Sequence, residues 1–414
     1  MLNQTLNPLE AWMGTLPDGW EKKRLKYLFY IKKDIAGEEG HTVLSVTQQG
    51  ITPKKMDAKG QFASDYSKYQ LVNPGDFVMN HMDLLTGWVD ISKYAGVTSP
   101  DYRVFCVDEK AKICPDFYKF VFQLCYKHRI FYNLGQGVSG FGRWRLPANM
   151  FLNFMIPIPK EEEQVLIANF LKNKIEKIDS LIEQAKASID EYSKWKESMI
   201  QEAVTKGINN KEQLIKSEYP WIGEIPRSWS IPSVRNYFNV GRGRVIAKTE
   251  ISLEPGEGLY PIYSSQTKNH GCMGYIDTYD FENESLTWTT DGANAGTVFY
   301  RKGKFNCTNV CGILTLKEKG VLYMPFAHYS VGLSAYNCRR ADINGYKIMS
   351  NEMAAIKFVL PATVDEQKQI ANYLDEKCEG IENVINEKLA LIEDLEKYKT
   401  SIIYEYVTGK RRVV

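Results

Sequence analysis

The chain has 414 residues, of which 44% are hydrophobic and 25% are charged, and its formal net charge is +2. This length predicts two or more domains, each large enough to bury its own core. The first 20 residues contain neither a basic start nor an apolar run, and no stretch has the apolar length of a membrane span, so we expect a cytoplasmic protein. The eight cysteines form no CxxC pair, which favours reduced, mostly buried thiols over a zinc site.

Short motifs near the start of the chain recur about 200 residues later. The pattern WxGxxPxxW at 12–20 returns at 221–229, an offset of 209 positions (221 minus 12). The residues Gln164, Ile167, Ala168, Asn169 and Leu171 return as Gln367, Ile370, Ala371, Asn372 and Leu374, an offset of 203 (367 minus 164). Such a period is too long for a solenoid and indicates a duplicated domain-sized unit, which usually binds a target with two parts.

Residues 1–158 are rich in aromatic and β-branched residues, and turn sequences such as Asn73-Pro74-Gly75-Asp76 interrupt them. This pattern predicts short strands with some helix, including a helix at Phe117–Leu124. The glycines at 135, 137 and 140 spell a dinucleotide-binding fingerprint, but no helix or acidic residue follows at the required distance. We interpret them as a basic loop instead.

Residues 159–207 and 362–414 carry apolar side chains three and four positions apart, contain no proline within 162–206 or 364–408, and are rich in Glu, Lys and Ala. Each stretch therefore predicts one continuous helix, a rod of about 60 Å at 1.5 Å per residue. The two rods could cover each other's stripe as a parallel or antiparallel coil. The alternative is a helix that lies on the surface of its own domain.

Residues 208–361 resemble 1–158 in composition, with a second helix expected at Met324–Gly332. The two large segments match poorly outside their flanks, so we expect them to recognise different targets. Their charges are +4 (19 basic, 15 acidic) and +3 (17 and 14), whereas the two helical segments carry −2 and −3. Mildly basic segments are compatible with DNA contact but are weak evidence alone.

Sequence signatures of catalysis are absent from the chain. The five histidines form no HExxH, no GxxxxGK[ST] loop occurs, and neither an (N/D)PP(Y/F) tetrad nor a Pro-Cys dipeptide of DNA methyltransferases is present. The pairing of Cys307 with His328 as nucleophile and base has no support beyond their presence. We therefore expect no catalytic residue, no metal ligand and no cofactor in this chain.

The order of these elements resembles the specificity subunit of type I restriction-modification systems, over essentially the whole chain. The motifs that carry the resemblance are Gly14–Trp20 (GTLPDGW) and Gly223–Trp229 (GEIPRSW), which open the two large segments, and Ile156–Gln164 (IPIPKEEEQ) and Val359–Gln367 (VLPATVDEQ), which close them. The last motif departs from the family pattern by losing one proline and gaining a residue. Each motif alone is weak, but their duplication in this order is specific.

The resemblance implies an α+β fold: two mixed α/β target recognition domains joined by two long antiparallel coiled-coil helices, with a pseudo-two-fold internal repeat. Recognition domains would span 1–158 and 208–361, with a central spacer helix at 159–207 and a distal one at 362–414. Each domain would read half of a split, asymmetric double-stranded DNA site. Two modification subunits carrying S-adenosylmethionine and two restriction subunits using ATP and Mg would complete the complex, with no membrane involved.

Candidate DNA-contacting residues are loop side chains that can grip phosphates or reach base edges. In the first domain they are Gln48, Gln49, Lys54, Lys55, Ser139, Arg143 and Arg145. In the second they are Arg242, Arg244, Ser265, Gln266, Lys268, Asn269, Asn294, Arg301, Arg339 and Arg340. For each residue a solvated surface charge or a satisfied turn is an equally good interpretation.

Other functions stay open at this point. The chain could serve another split-target methylation or phage-exclusion system, which the neighbouring genes would reveal. It could also be a protein-binding adaptor without a role for DNA, whose binding would ignore salt, whereas phosphate contacts weaken as salt rises. A nucleotide-dependent enzyme built on the glycine loop is the weakest hypothesis.

Overall fold

The computed structural model describes residues 9–54, 66–137, 144–208, 212–343 and 345–413. The chain forms two compact units: the first comprises Met1–Ala185 with Leu389–Val414, and the second comprises Lys186–Lys388. In the part of the chain that the structure describes, every helix is too short or too polar to cross a lipid bilayer.

The first unit contains a four-stranded central sheet in which all neighbours are antiparallel. Its strands, in spatial order, are Phe29–Lys32, Arg103–Val107, Phe77–Met79 and Val89–Ile91. Three two-stranded pairs surround it: Glu21–Arg24 with Met155–Ile158, Leu44–Thr47 with Gly50–Pro53, and Gln70–Val72 with Gly96–Thr98.

A helix covers one face of this sheet and supplies much of the core. It spans Pro115–Lys127, begins with a proline at its first turn, and buries Phe117, Phe122 and Leu124. Phe29 lies at the centre of an aromatic cluster, with edge-to-face contacts to Phe77 and Phe122 at 5.4–5.7 Å between ring centroids. The other short helices are Ala11–Met13, Leu25–Tyr27, Ile130–Asn133 and Ala148–Asn153.

The second unit also contains a four-stranded antiparallel central sheet. Its strands, in spatial order, are Phe238–Arg242, Cys311–Leu316, Ser285–Thr289 and Val298–Arg301. Further strands are Leu214–Lys216, Glu224–Pro226, Tyr260–Tyr263, Cys272–Ile276, Asp291–Gly292, Asn306–Cys307, Arg340–Asp342 and Gly345–Lys347. The helices besides the long ones are Val234–Tyr237, Lys248–Glu250, Lys268–Gly271, Met324–Cys338 and Ser350–Ala355. The two helices predicted near Phe117 and Met324 are thus confirmed.

The two central sheets have the same strand order and the same register, although their sequences match poorly. Phe29 pairs with Val107 in the first unit and Phe238 with Leu316 in the second, and both differences are 209 (238 minus 29, 316 minus 107). The same offset relates the pair Met79–Arg103 to the pair Trp288–Gly312. The duplication therefore extends through the whole sheet.

Two long helices, Glu161–Lys206 and Val364–Val407, confirm the predicted continuous helices. In the first unit the rings of Phe170 and Tyr406 lie 4.6 Å apart between centroids, and Asp179 pairs with Lys399. In the second unit the Lys388 ammonium lies 5.7 Å from the Tyr192 ring, and Lys196 pairs with Glu382. Within each unit one partner's number falls as the other's rises, so the helices are antiparallel. The predicted fold class is confirmed.

The start of each long helix is tied to the rest of its unit by two equivalent side chains, a glutamate and a glutamine. The Trp20 indole donates to Glu163 at 3.0 Å, and the Trp229 indole donates to Glu366 at 3.2 Å. The buried amides of Gln164 and Gln367 each accept a hydrogen bond at 2.8 Å, from the backbone N–H of Cys114 and of Tyr323 respectively. These contacts hold the globular part of each unit on its long helix.

Candidate nucleic-acid interface

Three loops of the second unit meet at one edge of the central sheet. The carbonyl of Val310 accepts hydrogen bonds from the hydroxyls of Ser265 and Thr290, the latter at 2.9 Å. The Asn294 amide donates to the Thr267 hydroxyl at 3.2 Å. Because of these bonds, four candidate residues in loop 264–271 and one in loop 289–296 lie together: Ser265, Gln266, Lys268, Asn269 and Asn294.

A small sheet continues this surface. Asp291–Gly292 pairs with Gly345–Lys347, which in turn pairs with Arg340–Asp342. The Arg339 guanidinium stacks on the Tyr336 and Tyr346 rings at 3.6 and 4.1 Å. The structure therefore adds the last two candidates, Arg339 and Arg340, to the same connected surface, although Arg340 is already paired with Glu352 at 2.7 Å.

Two further candidates leave the end of the first sheet strand and have internal partners. Arg242 donates to the Met349 sulfur at 3.2 Å. Arg244 forms a salt bridge with Asp280 at 3.0 Å. The glycine between them is required because a Cβ there would lie 1.9 Å from the Cys307 carbonyl oxygen. Of the two, Arg242 keeps the greater freedom to bind a ligand.

Arg301 occupies an internal position. Its side chain is 6% exposed, its Nε donates to the Thr287 hydroxyl at 3.0 Å, and one Nη donates to the His270 carbonyl at 2.6 Å. Burial lowers the pKa of its guanidinium. A side chain held in this way supports the loop 264–271 from below, and its charge does not reach the surface.

In the first unit, two of the candidate loops contact the segment 81–86. Gln48 and Gln49 form the exposed tip of the hairpin Leu44–Pro53, and the Gln48 amide reaches the Thr86 carbonyl at 3.5 Å. The backbone of Arg145 pairs with Gln136, and its neighbour Leu146 donates to the His81 carbonyl at 2.9 Å. Lys54 follows the hairpin. Lys55, Ser139 and Arg143 lie outside the described residues.

Beneath these loops lie a buried arginine and a neutral, half-buried histidine that the sequence pattern did not single out. Arg103 is buried, donates to the Leu146 carbonyl at 2.8 Å and lies 4.7 Å from the Phe151 ring centroid. Burial, with Arg103 and Arg145 nearby, lowers the pKa of His81 to about 4, so the imidazole is neutral at pH 7. No sequence motif marks them; only the β-strand position of Arg103 could have suggested burial.

Each unit contains a groove between its sheet-covering helix and the two long helices. The first groove has a volume of about 660 Å³ and the second about 610 Å³. The lining positions correspond by the repeat offsets: Lys119 with His328, Phe120 with Tyr329, Leu124 with Leu333, Lys172 with Asp375, Glu176 with Glu379, and Asp179 with Glu382. The duplication has therefore produced two equivalent concave surfaces.

The two grooves differ in chemistry. Ion pairs line the first, including Lys119 with Asp116 at 3.0 Å and Lys127 with Glu396 at 3.8 Å. In the second, the Tyr329 hydroxyl donates to Asp375 at 2.7 Å, and burial lowers the pKa of His328 to about 4. Each groove reaches a candidate DNA loop, through Gln48 and Gln49 in the first and Gly296 in the second.

Comparisons with known proteins agree with this architecture. The family model for the type I restriction modification DNA specificity domain matches residues 17–191 and again 226–393. The MjaX specificity subunit of Methanocaldococcus jannaschii, a putative type I restriction enzyme component, is 24% identical over 97% of this chain and 96% of its own length. The putative type I specificity subunit S.MpnORF289P N-terminus of Mycoplasma pneumoniae is 41% identical over 34% of this chain and 74% of its length.

Some relatives correspond only in part. The MpnII specificity subunit of M. pneumoniae is 31% identical over 43% of this chain, a match that spans 54% of that subunit. A chain from a structure that describes complex assembly and conformational transition of the type I R-M system has a TM-score of 0.70 at 12% identity, covering 96% of this chain and all of its own. The HsdS subunit from Thermoanaerobacter tengcongensis gives 0.52 at 13% identity, covering 96% of this chain and 98% of its own.

These structural neighbours share the fold of this chain, and the family model matches most of its sequence, once in each unit. The chain therefore belongs to the type I restriction-modification DNA specificity family and is a type I specificity subunit.

Proposed function

We propose that this subunit reads a split, asymmetric double-stranded DNA site, with each unit contacting one half-site through the loops at the edge of its central sheet. The observation that carries this proposal is the contrast within the repeat. Both sheets keep one register at a constant offset of 209 (238 minus 29), so the segments between their strands are equally long, while the loops in those segments differ in sequence and in backbone pairing. A shared frame with different loops suits two different base sequences.

The long helices would set the distance between the two half-sites. Each helix contributes residues to both units, since Glu161–Lys206 and Val364–Val407 pass from one unit to the other at 185–186 and at 388–389. Half-sites one helical turn apart are separated by about 34–36 Å, a distance that a helix can hold and a flexible linker cannot. The number of unread bases would then be fixed.

The chemistry would belong to partner subunits in the cytoplasm. We assign two modification subunits, one to each groove, because the two grooves are equivalent by the repeat and each reaches a DNA-reading loop. These subunits would bring S-adenosylmethionine and act on a flipped adenine. Two restriction subunits with ATP and Mg would complete the complex. This chain itself would catalyse nothing.

The first test is co-expression with the modification subunit encoded beside this gene, followed by mapping of N6-methyladenine across the host genome. We expect one split motif with a fixed gap, lost when this gene is removed. Methylation that is absent, or that persists without this chain, would overturn the proposal.

The assignment of the grooves is tested by a matched pair of charge reversals. Lys172→Glu alters the first groove and Asp375→Lys alters the equivalent position of the second. Native mass spectrometry should show two bound modification subunits for the wild type, one for each single variant and none for the double variant. Lys177→Glu, exposed on the same helix outside the groove, is the control and should keep two. Two subunits bound to both single variants would refute the assignment.

A further inference from the structure

The turn Lys268–Gly271 of the second unit has a strained backbone. Three consecutive residues adopt left-handed conformations: Asn269 with φ 49°, His270 with φ 51° and Gly271 with φ 83°. Glycine adopts this region freely, asparagine tolerates it, and a histidine there is uncommon. Among the described residues, Arg129 is the only other non-glycine with positive φ. Strain of this kind persists only where the surroundings hold it.

The surroundings of this turn do hold it. The Ser264 N–H donates to the Gly271 carbonyl at 3.0 Å, which closes the base of the loop. The hydroxyl of Ser265 is bound to Val310, and the hydroxyl of Thr267 accepts from Asn294 at 3.2 Å. The turn and its loop are therefore held by the Ser264–Gly271 backbone bond, by the hydroxyls of Ser265 and Thr267, and by Arg301.

Arg301 contributes the contact at the apex. Its guanidinium lies 3.5 Å from the Tyr263 ring centroid and 4.5 Å from that of Phe299. It also donates a hydrogen bond of 2.6 Å to the His270 carbonyl. In the described part of the chain it forms no salt bridge, so a buried cation is kept without a carboxylate. Burial of a charge is costly. A Cβ at Gly271 would come within 3.0 Å of its Nη2, so the turn and the guanidinium fit closely.

The side chains that the turn presents are free to bind. Lys268, Asn269 and His270 are exposed, and the described residues supply no hydrogen-bond or ion-pair partner for their side chains. An asparagine amide can bond adenine in the major groove through one donor and one acceptor, and a lysine can bond guanine. Because the backbone that carries Lys268 and Asn269 is already fixed, DNA binding would cost little conformational entropy in this turn.

We propose that the turn Lys268–His270 is the specificity-determining element of the second unit, which reads base edges of its half-site, and that Arg301 is a positioning residue that holds the turn without touching DNA. The inference rests on the proposed function, because it takes for granted that this unit reads DNA. It reassigns Arg301, a candidate for direct contact from the sequence, to a supporting role.

The test is methylation mapping with variants of this chain co-expressed with its modification subunit. For Asn269→Ala we expect the second half-site to become degenerate at one or two bases, with a loss of preference of about tenfold, while the first half-site is unchanged. Arg301→Lys keeps the charge but loses the two-armed contact, and should give the same degeneracy. The double variant should be no worse than Asn269→Ala alone, since both changes act through one turn.

A merely structural role for Arg301 predicts a different result: less methylation at the unaltered motif. Lys319→Ala, in an exposed turn after the central sheet, is the control and should leave the motif intact. An unchanged second half-site in both Asn269→Ala and Arg301→Lys would overturn the inference. Absence of methylation with the wild-type chain would instead count against the proposed function itself.

A double glycine variant tests the strain independently of Arg301. In Asn269→Gly with His270→Gly the left-handed backbone carries no steric penalty, so we expect the unfolding temperature to rise. We also expect the second half-site to become degenerate, because the side chains and the rigidity are both lost. A second half-site read as strictly as in the wild type would show that the turn does not determine specificity.

Discussion

The two units of this subunit are alike in the sheet interior and unlike at the sheet edge. In the first unit Met79 faces Arg103 across two strands, and at the same positions of the second unit Trp288 faces Gly312. A Cβ at Gly312 would lie 2.2 Å from the Trp288 ring, so the large indole requires the glycine. Between the two units, both residues of this cross-strand pair differ together, while the register of the strands is the same. The comparison teaches that a common frame has been repacked for two different sets of loops.

The two grooves likewise share a common position in the fold and differ in their side chains. Their walls are equivalent, but Lys119 and Lys172 of the first become His328 and Asp375 in the second. If one kind of modification subunit binds both, it must accept either set of side chains.

The largest effect is expected where the frame is shared. Trp20 and Trp229 are buried and join equivalent strand regions to the first turn of the long helices. We expect Trp20→Ala and Trp229→Ala each to lower the unfolding free energy by about 3–5 kcal/mol, as for other buried aromatic truncations. Urea denaturation followed by circular dichroism measures both.

The matched variants Trp20→Phe and Trp229→Phe keep an aromatic ring but lose part of the indole together with its N–H bond to the glutamate. They should cost less than the alanine variants, about 1–2 kcal/mol each. A large loss for one tryptophan and almost none for its counterpart would show that the two units are not built on one frame.

Much of this frame could be predicted from the sequence, and the reasons are specific. The long helices carry an apolar periodicity over more than forty residues, which no other structure satisfies. The shared sheet register could not be predicted from the sequence, because Met79 and Trp288 differ greatly in size, as do Arg103 and Gly312. Each difference is compensated only by the other. Position-by-position comparison does not see a compensation between residues 24 positions apart (312 minus 288).

The candidate interface was only partly predictable. Composition and turn chemistry pointed to the loops around Gln266 and Asn294, but their proximity depends on the Val310 carbonyl, which no local pattern reveals. The burial of Arg301 depends on Tyr263, which lies 38 positions earlier (301 minus 263) and forms a separate strand. Long-range packing therefore decides which charged loop residues reach the surface.

The second largest effect tests the repacking of the second unit. Gly312→Ala places a methyl group against the Trp288 ring, and we expect a loss of about 1–3 kcal/mol from overpacking. Gly380→Ala, in the interior of the second long helix with open space around its Cβ, is the control and should stabilise the protein by up to about 1 kcal/mol. Calorimetry of both variants checks the sign. Equal stability of Gly312→Ala and wild type would mean that the indole can move aside.

At the groove of the second unit, His328 occupies the position that Lys119 has in the first unit. Burial lowers the pKa of His328 to about 4 from an ordinary value of 6.5, so the folded state keeps it neutral. The unfolded chain takes up the proton first, and stability therefore falls as pH decreases from about 6.5 to about 4. His81 in the first unit contributes the same sign.

The difference between wild type and His328→Gln isolates the second unit. Over that pH window the wild type should lose about 3 kcal/mol more than the variant, measured as unfolding free energy at a series of pH values. Lys119→Gln, the equivalent change in the first unit, removes no histidine and should keep the wild-type fall in stability over this window. If the unfolding free energies of wild type and His328→Gln fall in parallel with pH, the lowered pKa of His328 is contradicted.

The smallest effect concerns two ion pairs that the repeat has conserved between the long helices. Lys196 and Lys399 interrupt the apolar stripes, and they pair with Glu382 and Asp179 respectively, at matching positions of the repeat. Such partly exposed pairs contribute about 0–1 kcal/mol, so Lys196→Met and Lys399→Met should each change stability by less than about 1 kcal/mol in either direction.

These ion pairs would fix the register of one long helix against the other, because polar groups in a coiled-coil seam select register at little gain in stability. The variant with both lysines changed to methionine should therefore fold but should lose its single spacing, and methylation mapping would show a second gap length beside the original one. The charge-swapped variant Lys399→Asp with Asp179→Lys keeps this pair in the opposite sense, leaves Lys196 paired with Glu382, and should keep the single gap. A single gap in the double-methionine variant would mean that the apolar stripes and the ties at Gln164 and Gln367 align the helices without the ion pairs.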